Sequence, residues 1–509
     1  MSIQVTEQGY KKCSIDNTPI NGLTIFNKKL FHNDKIKYVN SEITLDSSLR
    51  NTFLIGGILK LTNSVQYGLS NNRKPIYEFI PINWKYPKFL VPSDIKNNCL
   101  KKKEEITDYF VVITFKEWKD RYPSGSIYRS IGPIKSLQNK YEILFYYYPE
   151  SPYINSKFTL VESINIVPYT ISECNSIYSI DPIGCKDIDD ALSYNFLTKK
   201  IGVHIADVNY TIQKLNLEFT KYSTIYAPHK IINMLPDEIT YNYCSLIKGL
   251  IRPVISCYID INSDKFEFKR EFIRVTENYN YDEVTSKMIT SNQNIDIIFH
   301  YSQFINKKYK YVDEVKSSHE MVEVYMIFLN NKVAELLKNN NIIYRNQEPF
   351  NYAEYSYDNK GHSHMNLNYY THFTSPIRRI VDQYIHQKLI QHLFEPTLEI
   401  KKLDIDKVNK FERELKKITQ LWNYLYISNL ITNGELFKLQ FIGFDKNSIE
   451  FKLLEHNIII YNKLLFDIID QNTIKIMNNN YILNKIYELP IYVIDNIKNQ
   501  YFPKIIIKF

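Results

Sequence analysis

Four aspartates, Asp181, Asp187, Asp189 and Asp190, crowd into the stretch Ser179-Ile-Asp-Pro-Ile-Gly-Cys-Lys-Asp-Ile-Asp-Asp-Ala191. An apolar run over 177–180 leads in, which puts Asp181 where a strand ends, and Pro182 and Gly184 then force a turn. Like charges this close repel unless something positive neutralises them. Oxygen ligands suit Mg²⁺ or Mn²⁺, and two such ions can clamp the attacking and leaving oxygens of a phosphodiester displacement. A solvated acidic turn explains the same residues without chemistry. A lone general acid within Asp-Ile-Asp-Asp is a further reading, though nothing else in the chain supports it. A calcium loop is excluded, because Ala191, Leu192 and Thr198 stand where it needs an oxygen ligand, a glycine and a distal glutamate.

A second group is Thr374-Ser375-Pro376-Ile377-Arg378-Arg379. It reads as a helix start, with Ser375 at the N-cap and Pro376 at the first helical position. Arg378 and Arg379 then fall in the first turn, where the helix dipole disfavours cations. That placement makes sense where a phosphate arrives; an Arg378–Asp382 pair at i, i+4 is the structural alternative. Between the two groups lies the apolar strand Ile201-Gly-Val-His-Ile-Ala-Asp-Val208. His204 is expected to pack in the core there, and Asp207 to play a structural part.

The elements that must position these groups change along the chain. Residues 53–60, 85–91 and 109–115 are β-branched or aromatic runs bounded by turn residues, as in small β-barrels. Buried strands follow at 177–180 and 201–206, then helical patterns over 318–338, 376–394 and 404–432. In the last, Val408, Phe411, Leu415, Ile418, Trp422 and Leu425 mark one buried face, and Asn433-Gly434 supplies a stop. Strands return at 436–442, 449–454, 457–461, 490–494 and 504–509. The 509 residues suggest two to four domains, and a net charge of +8 is compatible with a polyanionic partner. The 42 tyrosines are mostly compositional drift, although a few can stack on bases. No apolar run is long enough to span a membrane, the start lacks the pattern of a signal peptide, and the scattered cysteines read as reduced thiols. An intracellular, cytoplasmic location is expected.

Taken together, these segments resemble the RNB family of ribonucleases: ribonuclease II, ribonuclease R and the eukaryotic exosome nuclease. The family pattern I-D-x-x-x-x-x-D-x-D-D-A stands at 180–191, G-V-H-I-A-D-V at 202–208, and Y-T-H-F-T-S-P-I-R-R at 370–379. Tyr226-Ala-Pro, Met234-Leu-Pro and Cys244-Ser-Leu match a third block. Met321-Val-Glu-Val-Tyr-Met and Tyr344-Arg-Asn-Gln-Glu-Pro349 match more weakly, as do His32-Asn-Asp34 and Tyr122-Pro-Ser-Gly.

The resemblance implies an α+β fold: a central RNB catalytic domain of sheet plus helices, flanked by small OB-type β-barrels. The expected boundaries are 1–48 for a truncated first cold-shock-like barrel, 49–165 for a second, 166–433 for the RNB domain and 434–509 for a C-terminal OB barrel. The implied activity is 3′→5′ hydrolysis of single-stranded RNA, processive, releasing nucleoside 5′-monophosphates. Carried over residue by residue, Asp181, Asp187, Asp189 and Asp190 hold Mg²⁺, with Mn²⁺ as a substitute, and Asp189 is also catalytic. Arg378 stabilises charge at the scissile phosphate, while Tyr226 packs on the 3′-terminal nucleotide and Arg379 helps bind substrate. Single-stranded RNA is the expected partner of a monomer or of a subunit in an RNA-degrading complex. A protein of this fold that grips RNA without cutting is the competing expectation. The chain departs from the family pattern in three places. The first barrel is expected to be short, with no endonuclease domain ahead of it, and Lys416 falls near a late helical glutamate of the family. Only fourteen residues separate Pro349 from His364, so part of the channel wall is expected to be missing.

Overall fold

The computed structural model describes residues 1–39, 42–47, 50, 53–62, 67–148, 170–172, 176–215, 221–263, 265–290, 293–349, 351–445, 448–470, 472–494 and 502–509. They fall into two compact units. One comprises Met1–Ile154, Ala227–Lys230 and Glu412–Phe509; the other comprises Asn155–Tyr226 and Ile231–Phe411. The mixture of sheets and helices is the α+β class expected.

In the first unit, strands Leu54–Leu59, Ile76–Pro81, Phe89–Pro92, Ser124–Pro133 and Tyr109–Glu117 close a barrel in that order. Alternation explains its filling: Tyr77 and Phe79 point inward with Phe89, Val111 and Ile113. Gly57 is required where the Phe79 ring crosses, since a Cβ there would come within 2.3 Å of it. The strand expected over 85–91 is confined to Phe89–Pro92, because a turn closed by Tyr86 N–H on the Asn83 carbonyl (3.1 Å) takes up its first half. Ahead of this barrel lie a three-stranded sheet (Ile3–Val5, Lys12–Ile15, Thr18–Asn21) and the antiparallel pair Lys35–Val39 and Glu42–Ser47. Toward the C-terminus, a five-stranded sheet runs in the order Ile458–Lys463, Ser448–Leu453, Glu435–Phe444, Ile486–Ile494, Lys504–Ile507. Its apolar face packs with Tyr424 and Ile427 of the preceding helix. That helix, Ile405–Ser428, stops short of the expected 432. Gly434, at φ +87, instead donates its N–H to the Ile491 carbonyl and starts the next strand.

The second unit is built on a six-stranded sheet in the order Phe266–Arg274, Ile251–Asp260, Lys200–Ala206, Asp190–Asn195, Ile177–Asp181, Glu277–Asn280. All neighbours are antiparallel except the last pair, which is parallel. Ile201, Val203 and Ile205 join a core with helices Gln293–Tyr309, Ser318–Leu336 and Ile380–Leu393. Ala206 joins a second core with Val254, Met234 and Leu235. Ser317 and Glu320 form a capping box at the start of the central helix, which fixes its first turn. His204 is fully buried between the hydroxyls of Ser193 and Ser256, 2.8 Å from each, as a core histidine should be. Asp207 is also structural: it is buried, accepts from Tyr210 N–H and pairs with Arg270 Nε at 2.5 Å.

The helix expected to start at Pro376 starts at Ile380, with Arg379 rather than Ser375 at its N-cap. Backbone pairing with segment 222–224 decides this. Thr224 N–H and Ser223 Oγ both donate to the Arg378 carbonyl, Ile380 N–H donates to Tyr222 O, and Arg379 is extended at φ −138, ψ 127. These tertiary bonds hold Arg379 in an extended form, bridged to Ser223, that a helix begun at Pro376 cannot share.

Candidate active site

The acidic stretch is shaped by its flanks. Ile177 and Ile180 are buried and carry the strand to Asp181, after which Pro182 offers no N–H and Cys185 N–H closes a turn on its carbonyl at 3.1 Å. Gly184, at φ +80, takes the left-handed position in that turn. The returning loop is stapled by Ser245, which accepts from Ile188 N–H (3.0 Å) and donates to Lys186 O (2.7 Å). Ala206 N–H holds the Asp189 carbonyl at 2.9 Å, and Asp190 opens the next strand opposite Ile205.

This folding brings distant segments onto the carboxylates. Asp189 accepts from Ile377 N–H at 2.8 Å and from Arg378 Nε at 3.2 Å. Arg378 also reaches Ser375 Oγ at 3.0 Å. Asp187 accepts from the Tyr226 hydroxyl, on strand Ile225–Ala227. The local pair anticipated for Asp382 forms with Arg379 (2.9 Å) rather than Arg378, because Arg378 stands outside the helix. Asp382 is fully buried and also accepts from Ser375 N–H, which ties the arginine turn together.

The electrostatics are those of an under-neutralised acidic centre. Burial pushes Asp181 up to about 6, helped by Asp187. Burial also pushes Asp189 up to about 7, although Arg378 and the Ile377 N–H oppose it. Asp190 is raised well above its ordinary value by burial, then by Asp181 and Asp189. Asp181 Oδ2 is buried without a hydrogen-bond partner. An all-carboxylate donor set with an orphaned oxygen fits a hard divalent cation. Among the described residues, no three His, Cys, Asp or Glu side chains form a ready-made ligand group.

Two contributors had no signal of their own in the sequence. Ser245 lies in the Cys244-Ser-Leu block, where its neighbours in sequence do not mark it as a staple of the acidic loop. Tyr281 follows the strand Glu277–Asn280, whose parallel pairing sets Asn280 beside Asp181. Burial, then Asp190 and Asp181, raises its phenol. None of the expected site residues lines the cleft of about 750 Å³ among Asn346, Tyr352, Tyr355, Tyr357 and Lys402.

A six-stranded sheet that ends one strand in a carboxylate cluster, with an arginine turn laid across it, defines a class. Residues 172–298 and 347–395 match the RNB domain, and residues 76–148 match the Dis3-like cold-shock domain 2 (CSD2); the unit that holds the carboxylate cluster is thus similar to RNB domains. Its relatives are ribonucleases by name. The human Exosome complex exonuclease RRP44 is 28% identical over 212 residues, 37% of this chain and 22% of that protein. Ribonuclease R of Chlamydia trachomatis is 23% identical over 386 residues, 54% of this chain and 56% of that protein. The chain thus spans roughly a fifth to just over half of these relatives. Apo RNase R of Mycoplasma genitalium shares the fold at TM-score 0.69 and 17% identity, with both chains covered completely. Yeast Ssd1, described as a pseudonuclease, matches at TM-score 0.55 and 16% identity over 83% of this chain and 66% of its own. Among the described residues, no helix is long and apolar enough to cross a membrane.

Proposed function

We propose that the chain is a 3′→5′ hydrolytic exoribonuclease that shortens single-stranded RNA to nucleoside 5′-monophosphates. One observation carries this reading: Asp189, beside Asp181 and Asp187, takes both a backbone N–H and a guanidinium from the turn at 377–378. A lone acidic turn needs no such partner. RNase R of Mycoplasma genitalium, solved with ribose-methylated single-stranded RNA and with double-stranded RNA, supports RNA as the substrate class.

Asp181, Asp187, Asp189 and Asp190 would hold divalent cations. When bound, these would acidify the attacking water and offset charge on the phosphate. Arg378, 43% exposed at its side chain, supplies a fixed cation at the scissile phosphate. Tyr226, 47% exposed, offers its ring to the terminal nucleotide. Arg379 keeps Asp382 as its partner and holds the turn, adding positive charge behind the phosphate.

RNA labelled at the 5′ end and incubated with Mg²⁺ should shorten stepwise and release mononucleotides, and Asp189→Asn should abolish this. The yeast pseudonuclease of the same fold motivates the competing reading, RNA binding without cleavage. Wild-type protein that binds RNA yet never shortens it in Mg²⁺ or Mn²⁺ would establish that alternative.

A further inference from the structure

We propose that Arg345 is a further substrate-binding residue, holding an RNA phosphate other than the one being cut; this rests on the function proposed above. Arg345 lies in strand Tyr344–Asn346, directly opposite Tyr355 of strand Glu354–Ser356. Its guanidinium sits 4.5 Å from the centroid of the Tyr355 ring and is half-buried. Among the other arginines of this unit, Arg378 has Asp189, Arg379 has Asp382, and Arg270 has Asp207 and Glu395, while Arg252 donates to the backbone carbonyls of Ser245, Ile251 and Asn242 and Arg274 is exposed. Among the described residues, Arg345 has neither a carboxylate in ion-pair range nor a side-chain hydrogen-bond acceptor. A guanidinium carries five N–H donors in a rigid fork matched to phosphate. Stacking on a ring uses its face and leaves that fork open.

The surroundings connect Arg345 to the candidate active site. The Tyr355 hydroxyl is 2.6 Å from His372 Nδ1. Desolvation holds His372 well below its usual range, and Arg379, Arg345, Arg378 and His362 add to this in that order. His362 is lowered to about 4 by burial, then by His364 and Arg345, and its Nδ1 is buried without a hydrogen-bond partner. Arg345 N–H also donates to Tyr370 O at 2.9 Å, so backbone and ring contacts both tie Arg345 to the segment that leads through His372 to Arg378. A polyanion lying with one phosphate at Arg378 meets Arg345 as a second cation with an open fork. The structural alternative is that Arg345 only braces the 344–356 hairpin through the Tyr355 ring.

The test is binding of a fluorescent single-stranded RNA in EDTA across a salt series, for wild type, Arg345→Gln and Arg345→Lys, with thermal melts in parallel. Arg345→Gln should weaken binding about tenfold and reduce the slope of log affinity against log salt by about 0.7, one phosphate contact on a single strand. Arg345→Lys should keep the slope while losing part of the affinity, because it has charge without the fork. A folded Arg345→Gln with unchanged affinity and slope overturns the proposal in favour of the bracing role. Should Arg345→Gln not fold, RNAs with single neutral methylphosphonate linkages carry the test. Wild type should lose affinity at one non-scissile position and Arg345→Lys less so; equal losses at every position overturn the proposal. Wild type that binds no RNA overturns it together with the proposed function. Wild type that binds RNA without cutting it overturns only the hydrolytic activity, and the Arg345 comparison then stands by itself.

Discussion

Replacing Asp189 by Asn separates the charge at the centre of the site from its shape. Asn keeps an oxygen for the Ile377 N–H, now 2.8 Å away, at nearly the same volume. Burial pushes the Asp189 carboxyl from 3.8 up to about 7 against the opposing Arg378, whereas in the unfolded chain it ionises near 3.9. The folded protein thus keeps a proton that the unfolded chain has released, so wild-type stability falls as pH rises from about 4 to about 7 and stays lowered above that. Between pH 5 and pH 8 the loss is about 3 kcal/mol, and Asn, which does not titrate, escapes it. The Arg378 pair lost in the variant is worth at most about 1 kcal/mol, since that side chain is 43% exposed. Melting in EDTA should therefore show the two proteins close together at pH 5. At pH 8 the variant should melt higher, with the gap widened by roughly 5–10 °C for a unit of this size. In Mg²⁺ the same variant should hydrolyse no RNA. Coincident melting at pH 8 in EDTA would falsify the account of Asp189 as a buried charge short of neutralisation, whatever the activity shows.

The remaining expectations concern its neighbours. Arg378→Ala should lower kcat by about 10²–10³-fold, as for loss of one fixed transition-state cation, and change RNA affinity much less; equal losses in single-turnover rate and in Kd would assign Arg378 to binding alone. Tyr226→Phe frees Asp187 from its hydroxyl partner but keeps the ring, so short RNAs should bind as before, while Tyr226→Ala should cost about 1–3 kcal/mol of binding. Anisotropy titrations that cannot tell Phe from Ala would remove the stacking role. His204→Ala leaves the buried hydroxyls of Ser193 and Ser256 without their partner and should destabilise the unit by about 2–4 kcal/mol. The folded fraction should cleave RNA at the wild-type rate; a loss of kcat at equal folded fraction would make His204 more than a core residue.

Much of this site was legible in the chain itself, because its signals are local. Four carboxylates after an apolar run, broken by Pro182 and Gly184, specify a strand end and an acidic turn whatever surrounds them. The i, i+3, i+4 spacing from Val408 to Leu425 specifies one buried helix face, and an apolar strand flanking His204 specifies a core histidine. Which partner each charge takes was not local. Ser375-Pro376 is a sound helix start by its own residues, yet the backbone of 222–224 pairs with 378–380 and moves the start to Ile380. That shift of four residues takes Arg378 out of reach of Asp382, gives that carboxylate to Arg379, and leaves Arg378 to Asp189, 189 positions away in sequence. Ser245 and Tyr281 enter the site for the same reason, through sheet pairing and loop contacts that local spacing does not encode. The sequence determined which groups could do chemistry, through residue type and short-range geometry. Long-range backbone hydrogen bonds and burial decided which of those groups meet and how strained their charges are.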